Sequence, residues 1–299
     1  MDRVRKRIQL DGLEEKHWQK YNVNVAVLDT GITSHPDLLG KCLIFKDFVN
    51  HKERPYDDNG HGTHVCGIIC GSGEASGGKY RGIAPSCRLV VCKVLDKKGD
   101  GSANTMIQAL EWIWKNHKRY NIRIINISVG IGKMNDKHKY NIMTEYLDKL
   151  WNSGIVIICA AGNKGPRPGS LSNIGGNNNV ITIGCYDDLE AVYSGENCMK
   201  YSGRGSKMLS YRKPDLVAPG TGIVSCNNLY REEPYIAKNG TSMATPIVSG
   251  SAALLLQKYP YLSNNTVKER LQFSAQDLGK PWNWQGWGMV NVKNLLEIN

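Results

Sequence analysis

Four short stretches of this 299-residue chain each bring a chemically capable side chain to the end of an apolar run or the start of a helix. In VAVLDTGI, Asp29 follows a strand-like run and precedes Thr30 and Gly31. A carboxylate there is expected half buried, and could serve catalysis, a turn or a helix cap. In DDNGHGTHVCGIICG, His61 lies between glycines that let backbone approach an imidazole closely. His64 follows three residues on, so an HxxH metal pair competes, without the glutamate of an HExxH helix. IVIICAAGN ends in Asn163, whose side-chain amide could donate to developing negative charge or simply belong to a Gly-Asn turn. NGTSMATPIVSG places Ser242 at a helix start, where free N–H groups and positive potential face the hydroxyl. A plain N-cap is the alternative there. Pro246 is expected within that helix's first turn, where a missing N–H matters little.

The elements that must position these groups show in the hydrophobic pattern. Residues 23–28, 89–95, 122–127, 155–161 and 180–185 are short Val- and Ile-rich runs of the kind that form buried parallel strands. Between them lie amphipathic helices over 103–118, with Met106, Ile107, Leu110, Ile113 and Trp114 on one face, and over 139–152. A further helix over 243–259 is stopped by Pro260, and another, capped by Ser263, carries Val267 and Leu271 inward. Segments 71–78, 169–179 and 202–206 read as surface loops. Strand and helix alternate, so the fold class is α/β with a mostly parallel central sheet flanked by helices. In such a sheet functional groups gather beyond the carboxyl ends of the strands, where Asp29 and Asn163 fall.

Composition narrows the function classes. Lys plus Arg at 38 against Asp plus Glu at 27 gives a net charge of +11, but the basic residues are scattered, which favours a solvated surface over a nucleic-acid site. No segment approaches the roughly 18 apolar residues of a membrane span, and no signal peptide precedes the first strand, so a cytoplasmic protein with no membrane partner is expected. The nine cysteines form no CxxC pair and sit mostly among apolar neighbours, as reduced, buried thiols would.

Taken together, DTG, HGTH, AAGN and GTSMATP, in that order from about Val23 onward, resemble the subtilisin-like serine proteases, and in character the intracellular bacterial subtilisins. The resemblance implies a three-layer subtilisin-like fold over 23–299 behind an N-terminal extension over 1–22, and serine endopeptidase activity on protein or peptide substrates. It implies an Asp29–His61–Ser242 triad working through an acyl-enzyme, with Asn163 and the Ser242 backbone N–H as oxyanion donors and Thr241 as a helper. Asp100, Gly101, Ser102 and Ser128, Val129, Gly130 would flank an extended substrate, and Ala160, Ala161, Gly162 would wall the pocket for the residue before the scissile bond. The chemistry requires no cofactor; structural calcium is left open, with the 175–180 loop as its candidate, and so is the oligomeric state. The extension could be inhibitory, as in intracellular relatives, or a packed arm. A silent member of the family acting as a binding protein is the rival reading.

Overall fold

Strand β1 (Asn24–Asp29) is buried at every position, and the sheet is built outward from it. It pairs in parallel with β3 (Arg88–Lys93) on one side and β4 (Ile122–Ile127) on the other. With β2 (Cys42–Asp47), β5 (Val156–Ala160), β6 (Ile181–Tyr186) and β7 (Leu216–Pro219), the order is β2-β3-β1-β4-β5-β6-β7, and every pairing is parallel. A separate antiparallel hairpin joins β8 (Ile223–Cys226) to β9 (Tyr235–Lys238). This computed structural model describes residues 1–13, 21–129, 136–187, 197–206 and 210–297.

The helices are α1 (Asp2–Arg7), α2 (His61–Cys70), α3 (Ala103–Asn116), α4 (Lys137–Asn152), α5 (Thr241–Lys258), α6 (Asn264–Phe273), α7 (Trp282–Gln285) and α8 (Val292–Glu297). Four of them pack in two pairs, α3 with α4 and α2 with α5, and α5 runs along β4 to β7. Apart from Ser242 and Lys258, α5 is buried all round, which its apolar and small residues permit. Ser263 caps α6 as expected, with Val267 and Leu271 buried.

Three expectations are corrected. The inward stripe of α3 is Met106, Ala109, Leu110 and Ile113; Ile107 is half-buried, and Trp114 is turned outward against Tyr146, because both lie one residue beyond the stripe. Residues 202–205 are not a surface loop but buried, since their backbone bonds to the end of β5: Gly203 N–H donates to Gly162 O at 2.7 Å. Nor are all nine cysteines free. Cys185, near the end of β6, forms a disulfide with Cys198, which the Cys198–Lys200 turn brings back to it, a pairing without a short-spacing signal.

The first ten residues pack onto the body. Val4, Ile8 and Leu10 are buried, Arg3 donates to Thr221 O, Arg5 donates to Gly82 O at 2.8 Å, and Ile8 O accepts Val292 N–H at 2.8 Å.

Candidate active site

Asp29 closes β1 at the switch point where the chain's strand order reverses, and it is fully buried rather than half buried. Its Oδ1 lies 2.7 Å from His61 Nδ1 and accepts Thr30 N–H at 2.8 Å. A carboxylate only accepts, so Nδ1 carries the imidazole proton and Nε2 is the basic nitrogen. His61 opens α2, and the helix reaches the acid because Gly62 has no side chain: a Cβ there would meet Gly31 O at 2.3 Å and Asp29 Oδ1 at 3.2 Å. Thr30 Oγ1 then accepts Gly62 N–H and donates to Asp57, which also holds Gly60 N–H and both donors of Thr63. The end of β1 is thereby laced to the start of α2. Burial opposes a charged His61 ring, but the Asp29 charge and hydrogen bond outweigh it and raise its pKa above the ordinary 6.5.

His64 serves a different partner, which removes the HxxH metal reading. It is fully buried, and its Nε2 faces Ile223 O and Ile236 O in the hairpin at 2.9 and 3.0 Å. Burial, with the nearby Lys238 and His61 charges, pushes its pKa down to about 3.

Ser242 is the second residue of α5 and keeps partial exposure. Because the helix begins at Thr241, Pro246 lies in the second turn, not the first; its absent N–H is the one that would have bonded Ser242 O. Asn163, beyond β5, has its Oδ1 held by Thr241 N–H at 3.2 Å and Thr241 Oγ1 at 3.0 Å. Its acceptor end is therefore occupied and its amide is the end left to donate. Thr241 orients this asparagine, so its hydroxyl is not the spare oxyanion donor expected. Gly240, with φ of 135°, allows this approach, since a Cβ there would crowd Asn163 Nδ2 at 3.3 Å.

His61 and Ser242 line one open cleft of about 270 Å³ with Thr30, Asn59, Leu95, Lys98, Gly99, Ser128 and Val129. Of the expected substrate residues, Ser128 and Val129 form its wall, and Gly130 lies outside the described residues. Asp100, Gly101 and Ser102 stand just past the lining: Gly101 bridges to Leu95, and Ser102 caps α3. Ala160 ends β5, and Ala161 and Gly162 lead from it to Asn163, with Ala160 O and Ala161 O held by Ser172 and Gly162 O by Gly203. Leu95, Lys98 and Gly99 were missed, although the strand-end rule that found Asp29 applies equally to β3.

The residues of the 175–180 loop do not fit calcium. Gly175 O accepts from Thr182, Gly176 O from Tyr211, and Asn178 O and Val180 O from the ammonium groups of Lys268 and Lys213. Two cations already stand where a metal's ligands would gather. Among the described residues one cluster has metal-ligating types close together, His35, Asp37 and Cys226, but its atoms are engaged. His35 bonds Pro234 O and Asp37 N–H, while Asp37 accepts from Ala75 and Tyr235. Burial holds the Cys226 thiol well above its ordinary pKa.

The chain has counterparts among known proteins. The sequence model of the subtilase family matches residues 20–288. The chain belongs to the subtilase family. This subtilase is 40% identical over 290 residues to the serine protease AprX of Bacillus subtilis, covering 91% of this chain and 65% of AprX. It is 34% identical to subtilisin DY of Bacillus licheniformis, covering 96% and 95% of the two chains. Solved structures agree: Sphericase superposes with a TM-score of 0.78 at 26% identity, and the S41 psychrophilic protease with 0.80 at 28%, each covering 97% of both chains. The subtilase is a serine-type endopeptidase with the family's α/β fold.

Proposed function

We propose that Asp29, His61 and Ser242 are this subtilase's catalytic triad. His61 Nε2 removes the Ser242 proton as Oγ attacks the scissile carbonyl, then delivers it to the leaving amine; water repeats the cycle to release the acyl group. Asp29 stays ionised, fixing the tautomer and stabilising the imidazolium. The Asn163 amide and the Ser242 backbone N–H receive the oxyanion. The substrate is an extended peptide whose backbone pairs with the segments around Ser128–Gly130 and Asp100–Ser102, its side chain before the cleaved bond entering beside Ala160–Gly162. The chemistry runs on side chains and backbone donors.

One observation carries the reading: a fully buried carboxylate bonded at 2.7 Å to a cleft-lining imidazole, with a helix-start serine in the same cleft. The test is labelling by a fluorophosphonate combined with peptide hydrolysis. Wild type should take one adduct at Ser242, and Ser242→Ala should retain the fold while losing label and turnover. Normal cleavage by the variant would remove Ser242 from the mechanism.

A further inference from the structure

Lys93 is a lysine with no exposed surface, at the carboxyl end of β3, and the triad chemistry leaves it unused. Its ammonium group has three acceptors from three parts of the site: Thr30 O at 2.6 Å, directly after the acid; Leu95 O at 2.9 Å, from a residue lining the cleft; and Asp58 Oδ1 at 2.7 Å, three residues before His61. All three donor positions of a lysine are thus filled. The Tyr56 ring lies 4.9 Å from the same nitrogen.

The register sharpens the point. Lys93 pairs with Asp29 on β1 and with Asp47 on β2, so one rung of the sheet reads carboxylate, ammonium, carboxylate. Asp58 joins from the segment before α2, so the lysine shares a rung with two aspartates and is bonded to a third. The charges acting most strongly on His61 are Asp29 and Asp57 in one sense and Lys238 from β9 in the other.

We infer that Lys93 is a positioning residue: its ammonium fastens the acid-bearing strand end, the segment leading to the base and the cleft wall into one body, and offsets the surrounding carboxylates. A hydrophobic residue of similar length would fill the space but could tie none of the three. This inference rests on the triad reading above.

The experiment uses Lys93→Met and Asp58→Asn in the full chain, with fluorophosphonate titration to count competent sites and pH profiles of kcat/KM at low ionic strength. Lys93→Met should lower kcat roughly tenfold or more with KM within about twofold. Loss of a cation favours the imidazolium, so its acid limb should move up by about half a pH unit. Asp58→Asn removes an anion, and its acid limb should move down. Opposite shifts are the signature, because a merely structural tie would lower stability without moving the limbs apart. Wild-type kcat in Lys93→Met, or unmoved limbs in both variants, overturns the inference. Should Lys93→Met fail to fold, Asp58→Asn decides: an unmoved limb refutes the role. A wild type that takes no adduct overturns the triad reading instead, and this one with it.

Discussion

Asn163 shows how much of the proposed chemistry rests on which end of one amide is free to donate. Its Oδ1 is held by the Thr241 N–H and hydroxyl, so the NH₂ group is prepared for negative charge before any substrate arrives. Asn163→Ala should lower kcat by about 10²- to 10³-fold with little change in KM, a magnitude known from subtilisin itself and carried over. Thr241→Val removes one of the two bonds fixing the amide and should lower kcat roughly three- to tenfold. Steady-state kinetics check both, and an unchanged kcat in Thr241→Val would show that the backbone N–H suffices. His61 sets the pH response. Catalysis needs the neutral ring, and the Asp29 charge, overcoming burial, raises its pKa, so activity falls as pH drops through a midpoint above 6.5. A kcat/KM profile with its acid midpoint at or below 6.5 would contradict that ordering. The residues of this proposal stand in AAGN and GTSMATP, but the bond between Asn163 and Thr241 joins positions 78 apart and has no local signal.

Helix α2 does two things with one surface: its first residue faces the cleft, and its fourth, His64, holds the β8–β9 hairpin through two carbonyls. Folded His64 stays neutral down to about pH 3, because burial and the neighbouring charges disfavour its cation, whereas the unfolded chain protonates it near 6.5. The unfolded state therefore binds the extra proton between those values. The stability this neutral ring confers is complete above 6.5 and is lost as pH falls toward 3, by about 1.4 kcal/mol per unit. Between pH 7.5 and 5 the protein should lose about 2 kcal/mol more than a His64→Gln variant, both in a Ser242→Ala background to prevent self-digestion. Urea midpoints at the two pH values measure it, and equal losses would refute the account. The same reasoning explains which elements could be read in advance. β1, β3, β4, β5 and β6 are buried on both faces and write themselves as apolar runs. Edge strand β2 is only partly buried, β7 has four residues ending in proline, and the hairpin strands have four each, so period and length both fail to mark them.

At the scale of the molecule, the basic residues behind the +11 charge are scattered along the chain, and among the described residues no helix is long and apolar enough to cross a membrane. The outstanding global question is what the first ten residues do. The sequence left an inhibitory segment and a packed arm equally open. In the structure, the arm's described partners include Val224, Thr221, Gly82, Gln276 and Val292, none of which lines the cleft. Val4, Ile8 and Leu10 bury their side chains completely or nearly so, and each such burial contributes about 1.5 to 3 kcal/mol. An arm that inhibits must be expelled for activity, whereas one that braces the body must stay. Leu10→Ala should therefore lower stability by about 2 to 5 kcal/mol while kcat/KM of the folded fraction stays within about twofold of wild type. Urea denaturation of the Ser242→Ala form gives the first quantity, and peptide hydrolysis normalised to fluorophosphonate-titrated sites gives the second. A rise of tenfold or more in normalised activity, with stability unchanged, would show that the arm restrains the enzyme; loss of stability at constant activity makes it part of the peptidase body, with Arg3 tying the Thr221 loop whose neighbour Gly220 accepts Gly240 N–H two residues before the nucleophile.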